Sequence, residues 1–129
     1  MKILVVVARI LLGLIFFVFG LNAFVPFIHG APPTTGFAGA FISAMIGSHF
    51  VLFVGAFQLI GGILLLSNRF LPLGLALLAP VIANILAYHI TMQLSGLPPG
   101  IFAAVLWAFL AWKLRAYFAP LFIQKAEMS

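Results

Sequence analysis

Gln58, Asn84 and His89 are the side chains in this chain best placed to do chemistry, because each sets a hydrogen-bonding group inside a long apolar run. An amide or imidazole held away from water can bind the carbonyl or hydroxyl of a lipophilic molecule, and an imidazole can also exchange a proton with it. A quinone is the cofactor that answers to all three groups. Gln58 and Asn84 fall at similar depth on consecutive antiparallel runs, so an amide hydrogen bond between them is the structural alternative to a ligand contact. His29, His49 and His89 all fall toward the same end of their runs. Two of them from facing helices would suit a metal or a tetrapyrrole. They lack i,i+4 spacing and a carboxylate to orient a ring, so neither a metal ligand set nor a catalytic residue is assigned.

The rest of the composition narrows the function further. Glu127 is the only acidic residue and lies in the polar tail. Proton pumps, cation channels and metal transporters place carboxylates within the membrane, and none is available here. The chain has no cysteine, which removes disulfides, thiolate metal sites, iron–sulfur clusters and dithiol relays. Its formal +5 comes from six Lys and Arg residues scattered among apolar runs. They form no basic face, so nucleic acid is not a partner.

The elements that must position the polar groups are set by solvent. Of 129 residues, 66% are hydrophobic, and six basic and one acidic side chain are too few to cover a water-facing surface. The chain reads as a single membrane domain, residues 1–129, with the lipid bilayer as its surroundings. Four spans are expected at about 3–27, 50–66, 71–92 and 101–118. Breaks at Pro26 to Thr35, at Ser67-Asn68-Arg69 and at Ser95-Gly96-Leu97-Pro98-Pro99-Gly100 separate them. A short segment at about 36–46, with Thr34 or Thr35 as its cap and Phe37, Phe41, Ala44 and Met45 on one side, reads as interfacial or re-entrant. Span one is too long for a signal-peptide core and is expected to be retained.

Within span one, Arg9, Gly13, Phe16, Gly20 and Phe27 share a face, and in span two Gly55, Gln58 and Gly62 do so. Small residues mark these faces as packing seams. Arg9 lies close enough to the helix start to snorkel to the headgroups. Pro80 predicts a kink in span three. Asn22 reads as a cap or packing bond near the far end of span one. Trp107, Trp112, Lys113, Arg115 and Tyr117 read as an interfacial mixture closing span four. With these spans, Lys2, Arg9, Arg69, Lys113, Arg115 and Lys125 all fall on one side, which predicts cytoplasmic termini.

Several of these stretches resemble the DoxX family of small bacterial membrane proteins. They are Arg9-Ile10-Leu11-Leu12-Gly13, Phe19-Gly20-Leu21-Asn22, Gly61-Gly62-Ile63-Leu64-Leu65-Leu66 with Arg69-Phe70-Leu71-Pro72-Leu73, and Leu78-Ala79-Pro80-Val81-Ile82-Ala83-Asn84-Ile85 with His89. The resemblance covers nearly the whole chain. It implies four spans, a bacterial plasma-membrane location and an association with membrane oxidoreductase complexes. Similar sequences often carry lysine where Ala23 stands and glutamate where Gln58 stands, so a family role in proton or anion handling does not carry over.

The expected fold is therefore all-α, a four-helix transmembrane bundle with a short interfacial segment between spans one and two. The expected function is a non-catalytic accessory or scaffold subunit of a larger membrane electron-transfer complex, docking through its glycine faces to other membrane subunits. The alternative is an oxidoreductase membrane subunit with a quinone- or lipid-binding pocket at Gln58, Asn84 and His89.

Overall fold

Backbone groups in lipid must be satisfied within the chain, and the apolar runs do this as helices. A computed structural model describes residues 1–28, 30, 33 and 35–128. Its elements are α1 (Lys2–Phe24), α2 (Gly36–Gly47), α3 (Phe50–Ser67), α4 (Leu71–Thr91), α5 (Leu97–Lys113) and a final turn α6 (Arg115–Phe118). No strand occurs among the described residues. The fold is an all-α four-helix bundle, and α1, α3, α4 and the stretch Leu94–Lys113 are each long and apolar enough to cross a membrane. The 12 residues of α2 rise only about 18 Å, short of the roughly 30 Å hydrocarbon layer.

The four long helices close a ring in which α1 packs on α3, α3 on α4, α4 on α5, and α5 back on α1. Helix α1 is thus a wall of the bundle, with Leu12 and Phe16 fully enclosed. The α1–α3 wall is the tightest because glycines face backbone across it. Gly20 lies against Leu59 and the Gly55 carbonyl, while Gly62 lies against Phe17 and the Gly13 carbonyl. Gly55 also receives the Ala23 methyl. Gly61, on the neighbouring face of α3, lets Leu78 of α4 approach. The seam read in the sequence is real, and it is internal.

Arg9 departs from expectation. Its Nη1 donates to the carbonyls of Leu65 and Leu66 at 2.5 and 3.3 Å, so it closes the C-terminus of α3 as well as lying near a helix start. A cation there also meets the negative end of the helix dipole. The turn that follows is closed by Asn68 in the left-handed region (φ 58°), with Asn68 N–H donating to Leu65 and Arg69 N–H to Leu64.

The completely enclosed large side chains, Phe16, Leu12, Leu65, Leu75 and Leu78, crowd toward the end that carries Arg9, the α3–α4 turn and the close of α5. Toward the opposite end no side chain of α4 beyond Ile82 is enclosed, and α2 lies alongside α3. Its enclosed residues are Ala38 and Gly39; of the side read in the sequence, Phe37 is 81% exposed, whereas Phe41 and Met45 turn toward α3 and α4. Small side chains let α2 approach; the Phe37 ring goes outward. Thr35 sits at its N-cap in extended conformation without a side-chain cap bond, and Thr34 lies outside the described residues.

Three boundaries also differ. Helix α1 stops at Phe24, three residues before the expected end, where the Asn22 Oδ1 accepts from the N–H groups of Phe27 and Ile28, both at 2.8 Å. That bond makes Asn22 a cap for the connecting segment. Helix α5 begins at Leu97, because Pro98 and Pro99 occupy its first turn, where a missing N–H costs nothing. It ends at Lys113 rather than continuing to Phe118, with Leu114 leaving helical geometry (φ −101°, ψ 17°) before α6. The Trp107 indole also bonds within the bundle: its Nε1 donates to the Leu75 carbonyl of α4 at 2.8 Å. Trp112 does sit among cations, with Lys113 and Arg115 at 5.5 and 4.8 Å from its ring. Helix α4 continues without interruption through Pro80.

Candidate functional site: a flank-opening cavity between α2, α3 and α4

Where the packing loosens, α2, α3 and α4 enclose a cavity of about 410 Å³. That volume falls within the usual range for small-molecule sites. Helix α2 contributes Phe41, Ile42 and Met45. Helix α3 contributes Phe50, Phe53 and Phe57, whose i,i+3 and i,i+4 spacing stacks them in a row with ring centroids 5.8 and 5.1 Å apart. The Phe41 ring reaches across to Tyr88 of α4 at 5.3 Å and closes one side. Phe53 is 60% exposed, and Pro80 and Asn84 are exposed in the middle of α4, so the cavity opens on the flank of the bundle.

Gln58, Asn84 and His89 all line this one cavity. The direct Gln58 to Asn84 bond is absent. Asn84 Nδ2 instead donates to the Pro80 carbonyl one turn back, at 2.8 Å. A short amide on a helix finds the i−4 carbonyl at hand without ordering a second long side chain. Gln58, half-buried, has no hydrogen-bond partner among the described residues, and its amide is left facing accessible space. His89 Nδ1 lies 3.1 Å from the Gln93 carbonyl, and its ring meets Tyr88 edge-on at 4.9 Å.

Tyr88 is the lining residue that reading the sequence missed. The signal was spacing: Pro80, Asn84 and Tyr88 recur every four residues and so share a face of α4. His49 is exposed in the left-handed conformation (φ 65°) that precedes α3, away from the lining, and His29 lies outside the described residues. No group of three or more His, Cys, Asp or Glu converges among the described residues.

No charged side chain lines the cavity among the described residues. Lys2, Arg9, Arg69, Lys113 and Arg115 belong to the opposite end, as the antiparallel contacts of Arg9 with Leu65 and of Gly61 with Leu78 require. The site is thus an apolar, aromatic chamber with a few uncharged polar groups. Such a chamber can hold a lipophilic ring compound and orient it by hydrogen bonds.

No family model matches the chain, nor does any curated protein or solved structure.

Proposed function

We propose that this membrane protein binds a lipophilic quinone-like or lipid molecule in the cavity between α2, α3 and α4, without catalysing a reaction by itself. It would serve a membrane electron-transfer complex, as the DoxX resemblance implies. The observation that carries the reading is a 410 Å³ aromatic cavity reachable from the lipid-facing flank, with the Gln58 amide unpaired among the described residues. The accessory-scaffold reading loses its proposed docking surface, because Gly13, Gly20, Gly55 and Gly62 already pack against one another's helices.

Filling the cavity tests this. Purified from native membranes in mild detergent, the wild-type chain should retain near-stoichiometric quinone or a single enriched lipid on extraction. Val54→Trp, which adds bulk at the lining, should retain less than about a tenth of it while keeping its helical circular dichroism. If partner proteins copurify and no lipophile is held, the scaffold reading replaces this one.

The same reading places the chain in a bacterial plasma membrane with both termini cytoplasmic. Supporting it is the gathering of basic residues at one end of the bundle, the asymmetry that holds in cytoplasmic loops. Reporters fused after Arg69 and after Pro98 should report opposite compartments, with Arg69 inside. The same compartment for both would overturn the orientation.

A further inference from the structure

The stretch Leu94–Lys113 holds 20 residues and rises about 30 Å, the thickness of the hydrocarbon layer. When it fills that layer, the residues past Lys113 stand at headgroup level. Leu114 leaves helical geometry there, so the chain turns instead of running straight on from α5. Leu114 and Phe118, four residues apart, both pack against the enclosed core. The short turns Arg115–Phe118 and Ala119–Phe122 are thereby held to the end of the bundle.

The other side of this tail is apolar and open. Tyr117 is 68% exposed, and the consecutive Leu121, Phe122 and Ile123 are 75, 84 and 62% exposed. Apolar side chains on the walls of the bundle are exposed to acyl chains, but these four lie beyond the last long helix. Left in water they would be costly, and a segment lying in the interface plane can bury them among the first acyl carbons.

Charge decides which lipid surface. Lys113 and Arg115 gather at the exposed Trp112 indole, 5.5 and 4.8 Å from its ring. Arg115 Nη1 donates to the Trp112 carbonyl at 2.8 Å, which fixes the guanidinium over the close of α5. Its other N–H groups have no partner among the described residues. Lys125 follows the apolar run two residues on, and Glu127 is the single acidic side chain of the whole protein, so carboxylates cannot neutralise the group. A lipid phosphate can: it is an anion found at this depth, and it takes hydrogen bonds from a guanidinium and an ammonium together.

We infer that residues 112–125 dock on the surface of a leaflet carrying anionic phospholipid. Lipid phosphates meet Lys113 and Arg115, while Leu121, Phe122 and Ile123 enter the top of the acyl chains. A zwitterionic headgroup brings its own cation to the phosphate and so answers this cluster less well. The docking surface is independent of the cavity between α2, α3 and α4.

The chain has no cysteine, so Gln124→Cys creates one labelling site beside the apolar run without removing a residue of the contact. A nitroxide there, on the full-length protein in nanodiscs, reports lipid-shielded and water-exposed populations through relaxation by a neutral nickel chelate. With phosphatidylglycerol present the shielded population should dominate. In phosphatidylcholine alone the shielded-to-exposed ratio should fall at least about fivefold, the effect of one basic residue near an anionic surface. Molar salt should lower the ratio in the anionic discs as well. Lys113→Gln combined with Arg115→Gln should erase the difference between the two lipids while the helical circular dichroism stays unchanged.

A label equally open to the chelate in both lipids overturns the docking, and one equally shielded in both overturns the anionic preference. Neither result depends on the double variant folding. A lipid difference that persists in the double variant overturns the roles of Lys113 and Arg115. Shielding that appears only when two chains share a disc means that a second copy covers the tail, which overturns the inference too.

Discussion

Replacing Gly62 by valine forces α1 and α3 apart and costs the bundle about 3 kcal/mol or more, the upper end of overpacking penalties. A Cβ at this position would come within 2.6 Å of the Phe17 nitrogen and 2.9 Å of both the Gly13 carbonyl oxygen and the Phe17 Cα. These are backbone atoms, and they cannot turn aside as a side chain can. Relief requires moving a helix, which breaks the neighbouring contact at Gly20, where a Cβ would stand 2.5 Å from Leu59 N. Within lipid the loss is large because close packing, rather than water exclusion, holds helices together. Gly61→Ala is the informative comparison. Its obstacles are Leu78 Cγ and Cδ2, at 2.6 and 2.7 Å, side-chain atoms rather than backbone but on a fully enclosed leucine, so the cost should be about 2 kcal/mol, below that of Gly62→Val. Gly47→Ala, with nothing within 4 Å, should be neutral. Unfolding by sodium dodecyl sulfate in mixed micelles ranks the three. Equal midpoints for Gly62→Val and Gly47→Ala would show that the seam does not hold the fold.

Arg9→Met should cost about 2 kcal/mol, the scale of a hydrogen bond from a charged donor. The guanidinium bonds Leu65 and Leu66, the last carbonyls of α3, and Leu65 is only 1% exposed. Removing it takes this donor from the Leu66 carbonyl, leaves the Leu65 carbonyl with only the long Asn68 N–H bond, and takes a cation from the negative end of a helix. Arg9→Lys keeps the charge on a different geometry and should lose less. The same detergent titration applies. A wild-type midpoint for Arg9→Met would mean that the side chain merely reaches the headgroups.

The parts of this architecture that were legible in the sequence are those written in residue type. Long apolar runs, broken at Pro26, Asn68 and the Ser95 to Gly100 stretch, give the number and order of the helices. Gln58, Asn84 and His89 stand out because polarity is rare there, and the structure puts all three on one cavity. What was missed depends on partners that have no residue type. Arg9 meets backbone carbonyls, as does the Trp107 indole, and a carbonyl looks the same at every position. Asn84 turns to its own helix for the same reason. Helix α5 stops at Lys113 although Leu114 carries no glycine or proline signal, and the aromatic residues beyond it prolong the apolar pattern. The packing of α2 was hidden because its enclosed residues are Ala38 and Gly39, which no hydrophobicity pattern favours over Phe37, although Phe41 and Met45 do face the cavity.

The crowding of Phe16, Leu12, Leu65, Leu75 and Leu78 toward one end makes the bundle resemble tweezers gripped at the base. At the other end α3 stays fixed to α1 through Gly55, but no side chain of α4 beyond Ile82 is enclosed, so moving α4 away from α3 is the cheapest deformation available. On the proposed function, a guest entering sideways from the acyl chains would part α4 from α3 without loosening the arginine-capped turn. That reading would divide admission and folding stability between different halves of the same four helices.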